Sequence, residues 1–222
     1  MGTPMVENLL KASVDVTVYN RSFDKTLPLV EKGAKNTKNV EEIFEQNDII
    51  FFMISNYSVA LEILNENVLS KIKGKKIVNM STISPTESKA VGKLVIENNG
   101  KYIEAPVSGS VGAATAGVLL ILVGGNEADT KDLYSIFDIL GSKTYYFGEL
   151  GKATGAKLVL NSLLGIFGEA YSEVLLLAQN FGIDTETIVN AISDSRMSSA
   201  LFQEKKICLQ TENILRHLCL NI

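Results

Sequence analysis

The chain has 222 residues, of which 46% are hydrophobic and 21% are charged, and its net charge at pH 7 is −4. These values are typical of a globular protein. The small negative charge gives no long-range attraction to nucleic acid or to an anionic membrane. The two cysteines and the single histidine are Cys208, Cys219 and His217, and their spacing fits neither a metal site nor a disulfide framework. We therefore expect no nucleic-acid partner, no metal and no histidine-based catalytic triad.

The sequence also argues against a membrane or secreted protein. No run reaches 18 consecutive apolar residues, the length that predicts a transmembrane helix. The N-terminal residues 1–4 lack the basic and apolar regions of a signal peptide. We therefore expect no membrane span and a cytoplasmic location.

Short β-rich runs alternate with helical stretches through the first two thirds of the chain. The run I-I-F-F-M-I is typical of a strand covered on both faces, and Pro85 suits the first turn of a helix. Strands are predicted at residues 14–19, 49–54, 76–80, 101–105, 119–123 and 144–147, and helices at 40–46, 57–69, 84–98 and 128–140. Such alternation predicts a mostly parallel sheet with crossover helices.

The pattern changes after Gly151. Residues 153–180 predict one long helix, because apolar residues recur at steps of three and four. Gly182 ends this helix, and Asp184 or Thr185 can cap the next one, at 186–193. The apolar stripe consists of Leu160, Leu164, Phe167, Tyr171, Val174 and Leu177. We therefore predict an α/β domain over residues 1–150 and the start of an all-helical domain over 151–222.

Four segments carry a resemblance to a known family. They are M-G-T-P-M-V-E-N-L-L-K-A with D-V-T-V-Y-N-R-S, then V-N-M-S-T-I-S-P-T-E-S, then E-A-P-V-S-G-S-V-G-A-A-T-A-G, and finally G-E-L-G-K-A-T-G-A-K-L-V-L-N. Each resembles a signature segment of the β-hydroxyacid dehydrogenases, the 3-hydroxyisobutyrate dehydrogenase and 6-phosphogluconate dehydrogenase-like enzymes. The resemblance implies a Rossmann-like fold. It also implies NAD(P)-dependent oxidation of the CH–OH group of a small 3-hydroxy (or 2-hydroxy) carboxylic acid.

The cofactor residues follow from two parts of this resemblance. The family begins with a strand and a G-x-G-x-x-G turn that binds pyrophosphate, and only the last glycine is present, as Gly2. NAD enzymes hold the ribose with an acid about 20 positions later, whereas a nearby Arg accommodates the 2′-phosphate of NADP. Asn20, Arg21 and Ser22 include no acid. By themselves they are equally consistent with a solvated turn; the resemblance favours NADP, with NAD as the alternative.

Two strand ends supply further candidates. Met53 and Ile54 end a buried strand, and ligands of such sheets bind outside the carboxyl ends of strands. The resemblance places this segment along the cofactor and Thr82 near the nicotinamide ribose. From the residues alone, Ser81 and Thr82 could instead cap the helix that begins near Pro85.

The substrate candidates are Ser108 and Gly109. A glycine-rich turn presents several backbone N–H groups to one anion, although an ordinary Ser/Gly turn has the same composition. The resemblance implies that Ser108 and the Gly109 backbone bind the substrate carboxylate.

Lys157 and Asn161 are four residues apart and share a helix face. A lysine partly withdrawn from water loses its proton more easily and can act as a general acid or base; the plain alternative is a surface lysine. The resemblance implies a catalytic role for Lys157 and substrate binding by Asn161.

The chain departs from the family pattern at both ends. The first strand and the first two glycines are missing, Ser13 stands where a helix-ending glycine is expected, and the tail from about residue 207 no longer resembles the family. We therefore predict a truncated dehydrogenase that acts on a small hydroxy acid or semialdehyde; a homo-oligomer is compatible with the sequence, which does not fix the oligomeric state. The alternative is an inactive relative that serves as a binding or assembly module. The sequence does not identify the particular acid.

Overall fold

The computed structural model describes residues 1–209. The chain divides into two compact units, one from Met1 to Leu158 and a second that begins at Val159. A long helix starts in the first unit and continues into the second. Each unit is described by itself below.

The first unit opens with a helix and a small sheet. Its first elements are α1 (Gly2–Lys11), β1 (Thr17–Val18), a 3-10 turn (Phe23–Thr26), α2 (Leu27–Val30), β2 (Lys35–Asn36) and α3 (Val40–Gln46). Strands β1 and β2 are parallel and form a two-stranded sheet of their own. The strand predicted at 14–19 is therefore reduced to two residues, because β1 pairs with β2 over that length alone.

A six-stranded sheet forms the body of the first unit. Its elements are β3 (Ile49–Phe52), α4 (Tyr57–Ile63), α5 (Glu66–Leu69), β4 (Lys76–Asn79), α6 (Pro85–Glu97), β5 (Lys101–Glu104), β6 (Val107–Ser108), α7 (Val111–Ala116), β7 (Leu119–Gly125), α8 (Glu127–Thr130), a 3-10 turn (Lys131–Leu133), α9 (Tyr134–Leu140) and β8 (Gly141–Tyr146). The strand order is β3-β4-β5-β7-β6, and β8 pairs with β7. Strands β3, β4 and β5 are parallel, as are β7 and β8, whereas β7 is antiparallel to β5 and β6. The predicted α/β fold with a mostly parallel sheet is confirmed.

The core of this unit lies on both faces of the sheet. Neighbouring residues of β4 point to opposite sides, so Ile77 packs among the residues under α3 to α6 and Val78 among those under α1 and α9. Both side chains are fully buried. Burial on both faces explains why the central strands are continuous apolar runs rather than alternating ones.

Several predicted elements differ in detail. The helix predicted at 57–69 is two helices, because the Asn65 side chain accepts a hydrogen bond from Val68 N and starts α5 anew. The strand predicted to stop before Gly124 continues through Gly125. The helix predicted at 128–140 is interrupted by a 3-10 turn at Lys131–Leu133. Ser13 has the positive φ of 62° that a glycine would adopt more easily.

The second unit is helical within the residues described. It contains the continuation of α10 (Lys152–Asn180), then α11 (Thr185–Asp194) and α12 (Ala200–Leu209), and Asp184 caps α11 as one of the two predicted alternatives. Leu175, Val189 and Phe202 form its core. The predicted apolar stripe is partly wrong. Leu175, which lies outside that stripe, is buried in this core, whereas the stripe residues next to it are not among the core residues.

Helix α10 is also long and apolar enough to cross a membrane by length and composition. Its most apolar window has a mean hydropathy of 1.2, and 11% of that window is buried. The sequence criterion of an unbroken apolar run missed this helix, since its few charged residues are spread along it. Core helices of soluble proteins meet the same criterion, so the finding does not by itself assign a membrane span.

A cavity of about 570 Å³ lies in the first unit, with residues of α1, β1, α3 and β3 in its lining. The two-stranded sheet and the six-stranded sheet share no strand pairing in the described part of the chain. The cavity wall is mainly apolar, with Leu9, Val16, Ile50 and Phe52 among the lining residues. Residues of the small sheet and of β3, the edge strand of the six-stranded sheet, both line it.

Candidate active site

The candidate site lies at the carboxyl edge of the parallel strands β3, β4 and β5. Parallel strands end at the same edge, and ligands of open α/β sheets bind there. Met53 and Ile54 directly follow β3, Thr82 follows β4, and Glu104 ends β5. The topology therefore brings the candidates from separate segments to one edge.

Four of the predicted cofactor residues line the same cavity. Gly2, Asn20, Met53 and Ile54 all contribute to its wall. Gly2 lies beside Met53, since a Cβ atom on Gly2 would be 3.6 Å from Met53 Cγ. The predicted residues are thus neighbours in space although they span more than fifty positions in the chain.

The residues after β1 form an exposed turn. The Asn20 side chain accepts a hydrogen bond of 2.9 Å from Ser22 N, and Asn20, Arg21 and Ser22 are all exposed. Arg21 and Ser22 are not part of the cavity wall. The turn therefore presents a guanidinium group to solvent near the cavity residue Asn20.

The N-terminus of α1 is chemically suited to an anion. Met1 makes no side-chain cap, and the first turn holds no acidic residue. The free N–H groups at a helix start attract phosphate. The start of α1 and Asn20, which share the cavity wall, offer hydrogen-bond donors of the kind that a dinucleotide phosphate accepts.

Thr82 is exposed and is not the cap of α6. Ser84 is the cap: its side chain accepts a hydrogen bond from Glu87 N, and the Glu87 side chain accepts one from Ser84 N. The capping alternative for Ser81 and Thr82 is therefore wrong. Ser81 instead holds the end of β3, because its Oγ atom accepts a hydrogen bond of 2.8 Å from Ile54 N.

Ser108 and Gly109 lie on the short strand β6 and the turn after it. Gly109 has φ of 145°, and a Cβ atom there would be 2.9 Å from both Ala113 Cβ and Leu119 Cδ2. Backbone conformation and space therefore both require glycine. Ser110 caps α7 by accepting a hydrogen bond from Ala113 N, so the second serine of the turn has a structural task.

Lys157 lies in the second turn of α10 and is half-buried. Burial lowers its pKa from the usual lysine value, because a charged ammonium group is less stable away from water. The amine is therefore more readily neutral than that of a surface lysine. Asn161 follows one turn later on the same helix, in the second unit.

A buried polar network lies beneath this edge. Glu104 is fully buried, and its carboxyl group accepts hydrogen bonds from Ser88 Oγ at 2.6 Å and from Gly151 N at 2.7 Å. It also accepts bonds of 3.2 Å from both the N and Oγ1 atoms of Thr154. The strand end is thereby bonded to the beginning of α10.

Comparison with known proteins shows the family to which the chain belongs. Residues 1–148 match the family described as the NAD binding domain of 6-phosphogluconate dehydrogenase. The chain belongs to the β-hydroxyacid dehydrogenase family.

Two curated relatives and one solved structure illustrate the relationship. The chain is 33% identical over 208 residues to glyoxylate/succinic semialdehyde reductase 2 (chloroplastic) of Arabidopsis thaliana, covering 92% of this chain and 58% of that protein. It is also 33% identical over 208 residues to 2-(hydroxymethyl)glutarate dehydrogenase of Eubacterium barkeri, covering 92% of this chain and 69% of that protein. The structure of Mycobacterium tuberculosis 3-hydroxyisobutyrate dehydrogenase with L-serine has the same fold, with a TM-score of 0.82, 24% identity, and coverage of 90% of this chain and 69% of that one.

Sequence reasoning about this β-hydroxyacid dehydrogenase homologue missed the network around Glu104. The segment E-A-P-V-S-G predicts roles for Ser108 and Gly109 and none for Glu104. A signal was present, since a single carboxyl group ends the apolar run Y-I-E-A at a strand predicted to be buried. Buried acids are rare and need partners, but nothing in the local pattern names Thr154 as the partner.

Proposed function

We propose that this chain is an NADP-dependent oxidoreductase that acts on the CH–OH group of a small 3-hydroxy (or 2-hydroxy) carboxylic acid, or on the corresponding semialdehyde in reverse. The observation that carries the proposal is the convergence of Gly2, Asn20, Met53 and Ile54 on one cavity beside β3. The names of the relatives, a semialdehyde reductase and a hydroxy acid dehydrogenase, support this substrate class. The chain spans little more than half of the first of these relatives.

The cofactor would be held by residues of the first unit. The start of α1 at Gly2 offers N–H groups to the diphosphate, Arg21 offers a guanidinium to a 2′-phosphate, and Met53, Ile54 and Thr82 would lie along the nicotinamide half. NADP accepts or supplies the hydride when bound. NAD stays the alternative cofactor, since the preference depends only on Arg21 and on the lack of an acid among residues 20–22.

The protein's own contribution is binding and proton transfer. Ser108 and the Gly109 backbone would hold the substrate carboxylate, and Asn161 would orient the substrate. The lowered pKa of Lys157 favours a neutral amine, which can take the hydroxyl proton at Nζ during oxidation and return it during reduction. A cytoplasmic location and pairing of the chain with itself complete the proposal.

The test is a binding and activity measurement on the whole chain. Nicotinamide fluorescence during titration with NADPH and NADH reports binding, and glyoxylate, succinic semialdehyde and 3-hydroxyisobutyrate are the first substrates to screen. Lys157→Met should lower kcat by about 10²- to 10⁴-fold, the usual contribution of a general acid or base, with NADPH binding retained. An unchanged kcat would reject the assigned role of Lys157.

The competing function is a binding or assembly module that no longer turns over. The interruption between the two sheets favours it, because β1 and β2 share no strand pairing with the six-stranded sheet in the described residues. Absence of fluorescence change at millimolar NADPH would reject the enzyme and favour the module.

A further inference from the structure

Glu104 has no role in the proposed chemistry, yet it is a fully buried carboxyl group. Burial of such a group costs free energy unless hydrogen bonds satisfy it. The donors to it, from Ser88, Gly151 and Thr154, are all neutral groups. An apolar side chain of similar size would avoid this cost but would leave the N–H groups of Gly151 and Thr154 without a partner. The carboxyl group therefore has a task that an apolar residue could not perform.

That task is to cap a helix from a distance. The first N–H groups of a helix have no partner within the helix and are usually satisfied by the residue just before it. At the start of α10, Gly151 has no side chain to do this. Glu104, 47 positions earlier, accepts the bonds from Gly151 N and Thr154 N instead. An acidic group at this end also interacts favourably with the helix dipole.

The cap lies on the face of α10 that carries the candidate catalytic lysine. Thr154 and Lys157 are three residues apart, so they are neighbours on one face of the helix. Both the backbone and the hydroxyl of Thr154 are fixed by Glu104. A shift in the position of this first turn therefore also moves Lys157, because one rigid turn of helix connects the two.

The same carboxyl group is connected to the cofactor side of the site. Ser88 donates to Glu104, so Tyr102 must donate to Ser88 Oγ at 3.2 Å, and Asn79 donates to the Tyr102 hydroxyl at 2.8 Å. Burial raises the pKa of Tyr102 to about 12, which keeps it a donor. Asn79 Oδ1 in turn accepts from Ser81 N, and Ser81 holds the Ile54 backbone.

The space around the carboxyl group is closely fitted. Gly124 pairs with Glu104 across the sheet. A Cβ atom on Gly124 would be 2.9 Å from Glu104 Oε2 and 3.0 Å from Ala153 Cβ. Glycine at this position of β7 leaves room for both the carboxyl group and the start of α10.

We propose that Glu104 is a positioning residue that seats the first turn of α10 against the end of β5 and thereby fixes the Lys157 amine at the carboxyl edge of the sheet. This role deepens the proposed function and rests on it. Glu104 touches neither substrate nor cofactor in this scheme. It acts through Thr154 and the helix.

The test measures Lys157 itself in the full-length chain. Competitive acetylation with acetic anhydride across pH, followed by peptide mass spectrometry, gives the apparent pKa of each lysine, and Lys93, which is 75% exposed, is the internal standard. In Glu104→Gln the Lys157 pKa should rise by about half a pH unit or more, because the loosened turn lets water reach the amine. Glu104→Asp, which keeps the carboxyl group, should restore part of the difference.

A second pair of variants guards against a folding defect. Thr154→Val removes one hydroxyl bond to Glu104 and should raise the Lys157 pKa in the same direction by less. Thr130→Val is the matched control, because Thr130 is equally buried and donates to Glu127 O outside the network. In this variant the pH profile of Lys157 acetylation should equal that of the wild type. If Glu104→Gln and Thr154→Val fold, by circular dichroism, and Lys157 titrates as in the wild type, the positioning role is wrong. The measurement needs neither cofactor nor turnover, so an inactive wild type would contradict the proposed function and leave this result intact.

Discussion

At the scale of single residues, Lys157 combines a chemical advantage with a cost in stability. Its amine is half-buried, and burial lowers its pKa. The unfolded chain therefore binds a proton at this position more tightly than the folded chain does. The free energy of unfolding is consequently reduced at neutral pH, and the reduction disappears as the pH rises to the ordinary lysine value of 10.5.

Replacing Lys157 by Met should remove this pH-dependent reduction in stability. The variant should melt at a higher temperature than the wild type at pH 7, and the difference should narrow as the pH approaches 10.5. Thermal unfolding followed by circular dichroism at several pH values measures it. Lys93→Met, at an exposed position, should show no such narrowing. A difference that stays constant with pH would mean that the Lys157 pKa is ordinary.

Arg21 is the residue on which cofactor choice depends. Arg21→Gln should weaken NADPH binding by about tenfold or more, the loss expected from one charge-assisted contact, and leave NADH binding nearly unchanged. Fluorescence titration of both cofactors gives the ratio. Lys143→Gln removes the same charge from β8, away from the cavity, and should alter neither affinity. An equal loss of affinity for both cofactors would show that Arg21 attracts them by its charge in general and does not bind the 2′-phosphate specifically.

At the scale of elements, a short sequence pattern caps and stabilises the N-terminus of helix α6. Ser84 and Glu87 bond to each other's backbone N–H groups, and Pro85 occupies the first turn. Ser84→Ala should lower the free energy of unfolding by about 1 kcal/mol, as measured by urea denaturation. Ser70→Ala removes an exposed hydroxyl that donates to Asn67 O. This control variant should change the free energy of unfolding much less. Equal effects of the two variants would show that the cap is not what stabilises α6.

Elements with a long pattern or a clear cap were predictable from the sequence. The helix at Val40–Gln46 was predicted with these bounds, and the Asn39 side chain caps it by accepting a hydrogen bond from Glu41 N. The long helix α10 was predicted to within one residue of its observed start. Two-residue strands such as β1 and β6 were misjudged or missed, because their existence depends on a partner strand elsewhere in the chain rather than on local periodicity.

The candidate site was predictable only where a motif marked it. Positions such as Lys157 and Ser108 came from the family resemblance, and their placement in the fold followed from the strand order. The Glu104 network could not be predicted, since its bonds join residues 14 to 50 positions apart. Only the three-dimensional arrangement of β5, α6 and α10 creates it.

At the scale of the whole molecule, the interrupted sheet divides the first unit into parts of unequal rigidity. Strands β1 and β2 form one short ladder, whereas β4 is bonded to a strand on each side. Backbone hydrogen bonds in small, isolated sheets open at lower free energy. We expect amide hydrogens of residues 16–36 to exchange faster than those of residues 49–79, measured by hydrogen–deuterium exchange with mass spectrometry. Equal protection would show that the two sheets open as one cooperative body.

The cavity of about 570 Å³ beside these strands also has a volumetric consequence. The volume of a protein in solution decreases when it unfolds, because internal voids are eliminated. The decrease grows with the void volume that unfolding eliminates. We therefore expect hydrostatic pressure to shift the unfolding equilibrium of the first unit in proportion to the part of this volume that unfolding eliminates.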